Sequence, residues 1–183
     1  MIEKTFVMIK PDGVQRQLTG KVIDRFEQSG LKLIAMKMVW VDDKFALKHY
    51  TDDISKRRGE HVRRYLVEFL QEGPVVAFVL EGVNAIENVR KIVGATEPKA
   101  AQPGTLRGDF AHVSYSFADS KEMVVRNIIH ASGNKEDAEH EIKLWFEPKE
   151  MHSYKTVNEF HMIGDKGTGN KNVSGPSKKL KGE

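Results

Sequence analysis

The segment GPVVAFVLEG, Gly73–Gly82, constrains the fold more than any other stretch of this 183-residue chain. Its apolar run is far too short to cross a bilayer. Between turn-forming residues it reads instead as a strand apolar on both faces, which belongs at the centre of a sheet. The remaining elements are arranged around that strand. EKTFVMI alternates in the manner of a first strand, and Pro11, Asp12 and Gly13 break it. In GKVIDRFEQSG, Val22, Ile23 and Phe26 share a helical face and Gly30 is a terminator. LKLIAMKMVWV is a long second strand, and 43–72 reads as helix in two pieces joined by the polar DDISKRRGE.

After the central strand, Val83, Ile86, Val89 and Val93 mark a helix in VNAIENVRKIVG. From Ala95 to Met123 no period holds, and Pro98, Pro103 and Gly104 mark a long loop, a feature that in compact domains is usually functional or disordered. MVVRNIIH is the last strand. NKEDAEHEIKLWF is a helix with Asn134 as N-cap and Ala138, Ile142 and Trp145 on one face. The order is that of an α+β, ferredoxin-like βαββαβ antiparallel sheet with added helices and a long loop.

Composition narrows the function. The chain has no cysteine, which excludes disulfide frameworks, thiolate zinc sites and cysteine nucleophiles. No run reads as a signal peptide or membrane span, so a cytoplasmic protein is expected. The net charge of +3 resides in the carboxyl-terminal stretch, where five lysines after Phe160 face only Asp165 and Glu183. A domain over 1–160 and a flexible basic tail over 161–183 are therefore expected, because the tail is too poor in apolar residues to fold alone. With a neutral body, no specific nucleic-acid partner is expected, although the tail could add a weak, salt-sensitive contact.

Seven histidines occur, and His49, His61, His112, His140, His152 and His161 are read as structural. His130 differs. It ends a strand, where side chains reach beyond the sheet, and Ala131 and Ser132 leave space beside it. Imidazole is largely neutral near pH 7 and can attack phosphorus without first losing a proton, so it suits a phosphoryl carrier. Such a carrier needs cations and donors around the phosphates. Lys10, Arg90, Thr96 and Arg107 all lie at strand ends or in loops, where sites are built. GVQRQLTGKV misses the spacing of a phosphate-binding P-loop, and GDKGTGNKN lacks the third glycine of a dinucleotide fingerprint. The RGD at Arg107–Asp109 is read as chance.

TFVMIKPDGVQR, GPVVAFVLEG, PGTLRGDF and RNIIHAS followed by AEHEIKLWF resemble, in that order, the segments of nucleoside diphosphate kinases. The resemblance spans residues 1–155, and NIIHAS with KPDGVQR is highly specific to the family. It implies γ-phosphoryl exchange between a nucleoside triphosphate and a diphosphate, by a ping-pong route through a phosphohistidine at His130. By the same matches, Lys10 reaches the phosphates and the ribose 3′-hydroxyl, with Asn127 as its partner at the ribose. Tyr50 lies near the site, Arg90, Thr96 and Arg107 bind phosphate, and Glu141 orients the histidine with Ser132 beside it. The resemblance further implies Mg2+ held mainly by the phosphates with no protein metal ligand, and a homo-oligomer, hexamer or tetramer.

The chain departs from the family pattern in four places. DDISKRRGEHVRRYLVEF is longer than the usual connection and lacks its Pro-Phe-Phe; Leu66 keeps the aliphatic position, and Val62 or His61 takes the place of the base-stacking phenylalanine. AHVSYSFADSKEMVVR is an insertion in the loop that closes the site, so the insertions fall at 51–65 and 111–126. Gly133 replaces an aspartate, and the tail has no counterpart. An RNA-recognition module is the rival built on the same sheet, but RGDFAHV has Asp109 where its first aromatic belongs. An inactive, nucleotide-binding relative is the other rival, although every motif residue from Lys10 to Glu141 is present.

Overall fold

The computed structural model describes residues 1–164. Its sheet has four strands, β1 (Ile2–Ile9), β2 (Lys32–Val39), β3 (Val75–Val83) and β4 (Ile129–Ala131), in the order β2-β3-β1-β4 with every neighbouring pair antiparallel. The expected central strand is β3, and it pairs with the whole of β1, from Ile2 opposite Val83 to Ile9 opposite Val76. Both strands are covered on both faces. Val7, Ile9, Val76, Phe78 and Leu80 pack on one side with Val22 and Phe26, whereas Phe6, Met8, Ala77 and Val79 pack on the other with Ala46, Leu70 and Trp145. This division follows the two-residue period of a strand. Each fully buried side chain of this size contributes about 1.5–3 kcal/mol, so the two cores hold the sheet from both sides.

Helices α1 (Pro11–Gln15) and α2 (Thr19–Gln28) connect β1 to β2. The Pro-Asp-Gly break is itself the start of α1, since proline at the first helical position sacrifices no intrahelical hydrogen bond. Between β2 and β3 lie three helices where two were expected: α3 (Asp43–His49), α4 (Asp52–Arg58) and α5 (Glu60–Leu70). The polar connection is thus α4. It buries nothing and so shows no apolar period, but Asp52 and Asp53 in its first turn and Lys56, Arg57 and Arg58 in its last match the helix dipole. Gly59, at φ 98, separates it from α5.

β3 runs one residue beyond its expected end, so Val83 belongs to the strand. Helix α6 (Ala85–Val93) begins after Asn84, whose φ is 48. The stretch read as a long loop holds a 3-10 turn at Pro98–Ala100, α7 (Leu106–Phe110) and α8 (Tyr115–Ser120). Thr105 and Ser114 cap the latter two, their hydroxyls accepting from Gly108 N and Phe117 N at 3.1 and 3.2 Å. Helices of five and six residues are too short to display a period. The last strand was expected over MVVRNIIH but pairs only from Ile129, because the backbone turns sharply at Ile128. Asn134 caps α9 (Lys135–Trp145) as expected, accepting from Asp137 N at 2.8 Å.

The chain divides into two compact units, Met1–Ser153 and one beginning at Tyr154. The second contains a π-helical turn, Glu159–Ile163, preceded by Thr156, whose N–H donates to Glu159 Oε2 at 2.7 Å. Residues 165–183 of the expected basic tail lie outside the described residues.

Candidate active site

β1 and β4 deliver the two ends of the site. Met8 pairs with His130, so the strand that leads into Lys10 lies beside the one that carries the histidine. Between them the chain makes a three-residue turn in which Ile129 N donates to Asn127 O at 2.7 Å around Ile128 at φ 60. A β-branched residue in this region is strained by about 1–3 kcal/mol and persists only where its surroundings hold it. The hold is visible. Ile128 is fully buried, its N–H donates to Asp12 Oδ2 at 3.1 Å, and its carbonyl accepts from Lys10 N at 2.8 Å. The turn faces Asn127 toward Lys10, whose Nζ donates to Asn127 Oδ1 at 2.8 Å; Asn127 Nδ2 in turn donates to Thr96 O at 2.8 Å.

His130 Nε2 lies 2.7 Å from Glu141 Oε1, and the other carboxylate oxygen accepts from Ser132 Oγ at 2.6 Å. Burial would raise the Glu141 carboxyl, but the charge and hydrogen bond of His130, His49 and the Ser132 hydroxyl outweigh it and hold the group below the usual range. An ionised Glu141 can only accept, so Nε2 of His130 carries the proton and Nδ1 keeps its lone pair. Ser132 is itself anchored to β1, where its N–H donates to Phe6 O at 3.1 Å.

His130 borders an open cleft of about 160 Å³ that is also lined by Lys10, Tyr50, Leu66, Arg90, Thr96, Arg107 and Asn127. The residues expected at the phosphates and sugar therefore meet in one place, with Glu141 and Ser132 behind the histidine, although Arg90 and Arg107, expected at strand ends or in loops, come from the helices α6 and α7. Burial, reinforced by the neighbouring Arg107, lowers Lys10 to about 8, with Asp12 acting in the opposite direction. Burial also lowers Arg107 to about 10, opposed by the Tyr115 phenol and assisted by Arg90; it stays charged at neutral pH. The Arg107 guanidinium is fixed by three carbonyls, donating to Asn127 O at 3.4 Å, Gly94 O at 3.0 Å and Ile129 O at 2.7 Å. Tyr50 is buried with its hydroxyl unpartnered among the described residues, and burial together with the Glu141 and Asp12 charges pushes its phenol up.

A second cavity of about 210 Å³ adjoins the first and shares Lys10, Leu66, Thr96 and Asn127 with it. Val62 and His61, the two alternatives for the missing phenylalanine, both line this cavity.

Two contributors escaped the sequence reading. Asp12, in the KPDG motif, holds the strained turn from 116 positions away. His49, read as structural, packs its ring 4.9 Å from that of His130. Its one available signal was its place just before Tyr50. Burial, followed by the charge of His130, lowers it to about 3, which keeps it neutral. His49, His130 and Glu141 offer ligand atoms within 4.8 Å of one another. They do not suit magnesium, which prefers oxygen ligands. Both Glu141 oxygens are engaged, and His49 Nδ1 accepts from Trp145 Nε1 at 3.3 Å, which leaves the His49 proton on Nε2.

A nucleoside diphosphate kinase family model matches residues 3–151. The chain is 49% identical to the nucleoside diphosphate kinase of Borreliella burgdorferi over 160 residues, 87% of this chain and 96% of that protein. It is 45% identical to that of Pyrococcus furiosus over 153 residues, 84% and 88% of the two chains. A solved structure of the Borrelia burgdorferi enzyme, a transition state mimic with bound vanadate and ADP, matches with a TM-score of 0.86 at 48% identity, covering 87% of this chain and 96% of that one.

Proposed function

The chain belongs to the nucleoside diphosphate kinase family, and from that premise we propose that His130 is the residue that carries the phosphoryl group between nucleotides. The family's reaction moves the γ-phosphoryl group reversibly from a nucleoside triphosphate to a nucleoside diphosphate by way of a phosphohistidine. One observation carries the assignment: His130, with one ring nitrogen held by Glu141 at 2.7 Å, opens onto a cleft lined by Lys10, Arg90 and Arg107.

In the first half-reaction, Nδ1 of His130 attacks the γ-phosphorus. The N–P bond forms as the bond from phosphorus to the β,γ-bridging oxygen breaks, and that oxygen leaves with the electron pair on the diphosphate. The ring gains positive character, which Glu141 stabilises through Nε2–H while Ser132 steadies the carboxylate. Arg90, Arg107 and Thr96 hold the phosphates, placing charge where it moves in the transition state. Lys10 and Asn127 hold the sugar end, with Tyr50 beside them. In the second half, a terminal oxygen of the incoming diphosphate attacks the phosphohistidine, and Nδ1 recovers its lone pair.

Mg2+ is proposed to enter with the nucleotide. The wall is cationic and the nearby histidine cluster is unsuited to it, so the phosphates are its holders, and it supplies charge neutralisation there. The base is proposed to lie in the adjoining cavity against Leu66 and Val62 or His61, a sequence-tolerant stacking contact. A catalytic domain over 1–160 with an accessory tail over 161–183, and a cytoplasmic setting consistent with the cysteine-free composition, complete the reading.

A homo-oligomer, hexamer or tetramer, is proposed on the edge strand. β2 ends the sheet, Met36 and Met38 are exposed at 53% and 61% on one face of it, and Trp40, just past its end, is exposed at 66%. No described helix is long and apolar enough to cross a membrane.

Single-turnover labelling tests the central claim. With radiolabelled Mg-ATP, the wild type is expected to take up an acid-labile label that a chase of mixed diphosphates removes, and His130→Ala is expected to take up none. Label on the variant, or nucleotide binding without label on the wild type, would overturn the assignment.

A further inference from the structure

The inserted segment forms a wall of the second cavity. Tyr115 and Asp119 lie one turn apart on α8, hence on one face, and both line the cavity together with Val62 and Leu66 of α5. Arg58, at the end of α4, lines it as well. Among the described residues the Asp119 carboxylate has no hydrogen-bond or ion-pair partner. The site thus presents aliphatic and aromatic faces together with one uncommitted acceptor and, besides the shared Lys10, the cation of Arg58.

These groups distinguish the bases by chemistry. The Watson–Crick edge of guanine carries two adjacent N–H donors, N1–H and the 2-amino group, beside the O6 acceptor. A carboxylate takes both donors at once, and a guanidinium can donate to O6. Adenine places the lone pair of N1 where guanine has a donor, so a carboxylate there is repelled. Resting on the proposed reading in which the phosphates sit at His130 and the sugar at Lys10 and Asn127, the residues shared by the two cavities direct the base toward α8. We propose that Asp119 and Tyr115, on the inserted helix, form a base-selecting wall that favours guanine nucleotides, with Tyr115 contacting the ring and Asp119 reading its N–H edge.

The test uses desalted phosphoenzyme made from Mg-ATP and follows its discharge by GDP, IDP and ADP. These purines are of similar size, so stacking alone does not rank them. On wild type, kcat/KM is expected to fall from GDP to IDP to ADP, with GDP ahead of ADP by about fivefold or more, the scale of a partly solvated charged hydrogen bond. Asp119→Asn should bring that ratio below about twofold, and Tyr115→Leu should slow all three together through lost ring contact. Asp119 is exposed, so its replacement removes no core packing. A flat wild-type ranking, or a ranking that survives Asp119→Asn, overturns the assignment of Asp119; unaltered rates in Tyr115→Leu overturn that of Tyr115. Failure of the underlying site reading has a separate signature, since no phosphoenzyme would form on the wild type.

Discussion

His49 shows how burial can prepare a site without supplying a reagent. An imidazole beside a histidine proposed to pass through a charged state would raise the cost of that state if it protonated itself. Burial prevents this by lowering His49 to about 3, well below the ordinary histidine value. The arrangement carries a stability cost in acid. The unfolded chain binds a proton at this position below about pH 6.5 whereas the folded chain does not until about 3, so stability is full at neutral pH and falls as pH drops through that window. From about pH 7 to about pH 4.5 the expected loss from this residue is about 2–3 kcal/mol. Urea unfolding at both pH values checks it: His49→Gln should lose less stability on acidification than the wild type by about that amount. Equal losses would show that His49 does not titrate on unfolding in this way.

At the scale of elements, short segments hold the cationic wall. Gly94 ends α6 at φ 85, and a Cβ there would collide with the Thr105 side chain that caps α7. The Gly94 carbonyl also accepts from Arg107 Nη1 at 3.0 Å, so the same turn positions a residue proposed to bind phosphate. Gly94→Ala is expected to cost about 1–3 kcal/mol from backbone strain and contact. It should also slow single-turnover phosphorylation as Arg107 shifts. Gly20→Ala, in the exposed first turns of α2 with open space around it, is the control and should be neutral or stabilising by up to about 1 kcal/mol. Chemical unfolding and labelling kinetics on the two variants separate these outcomes, and a Gly94→Ala protein as stable and fast as wild type would contradict the account.

For the whole molecule, the central issue is what covers β2. A sheet edge with apolar side chains on one face is a surface that proteins rarely leave bare, and burying it against another copy stabilises both. Light scattering of the wild type is expected to give a multiple of the 20.7 kDa chain mass, with Met38→Glu shifting the distribution toward smaller species. A wild-type monomer would remove the proposal. Edge-strand exposure was not anticipated from LKLIAMKMVWV, because its residues read as a strand without revealing which neighbour it would lack.

What the sequence determined by itself is what neighbouring residues can decide. Strand period, proline and glycine breaks and the Asn134 cap act over a few positions, so β1, β3, α2 and α9 were legible, whereas several of the residues that meet in the cleft, Tyr50, Leu66 and Asn127 among them, were named only by the resemblance to a known family. The short capped helices α7 and α8 and the solvated α4 left no apolar period to read. The strained turn at Ile128 was hidden for a different reason, since Asp12 and Lys10 hold it from more than a hundred positions away. His49 reaches His130, and Asp119 comes to line a cavity with residues of α5, only after the sheet and its helices have come together. Such placements depend on which distant groups share a buried space. Only the tertiary structure decides that, because hydrogen bonds, burial and strain at these positions are set by partners that local sequence does not specify.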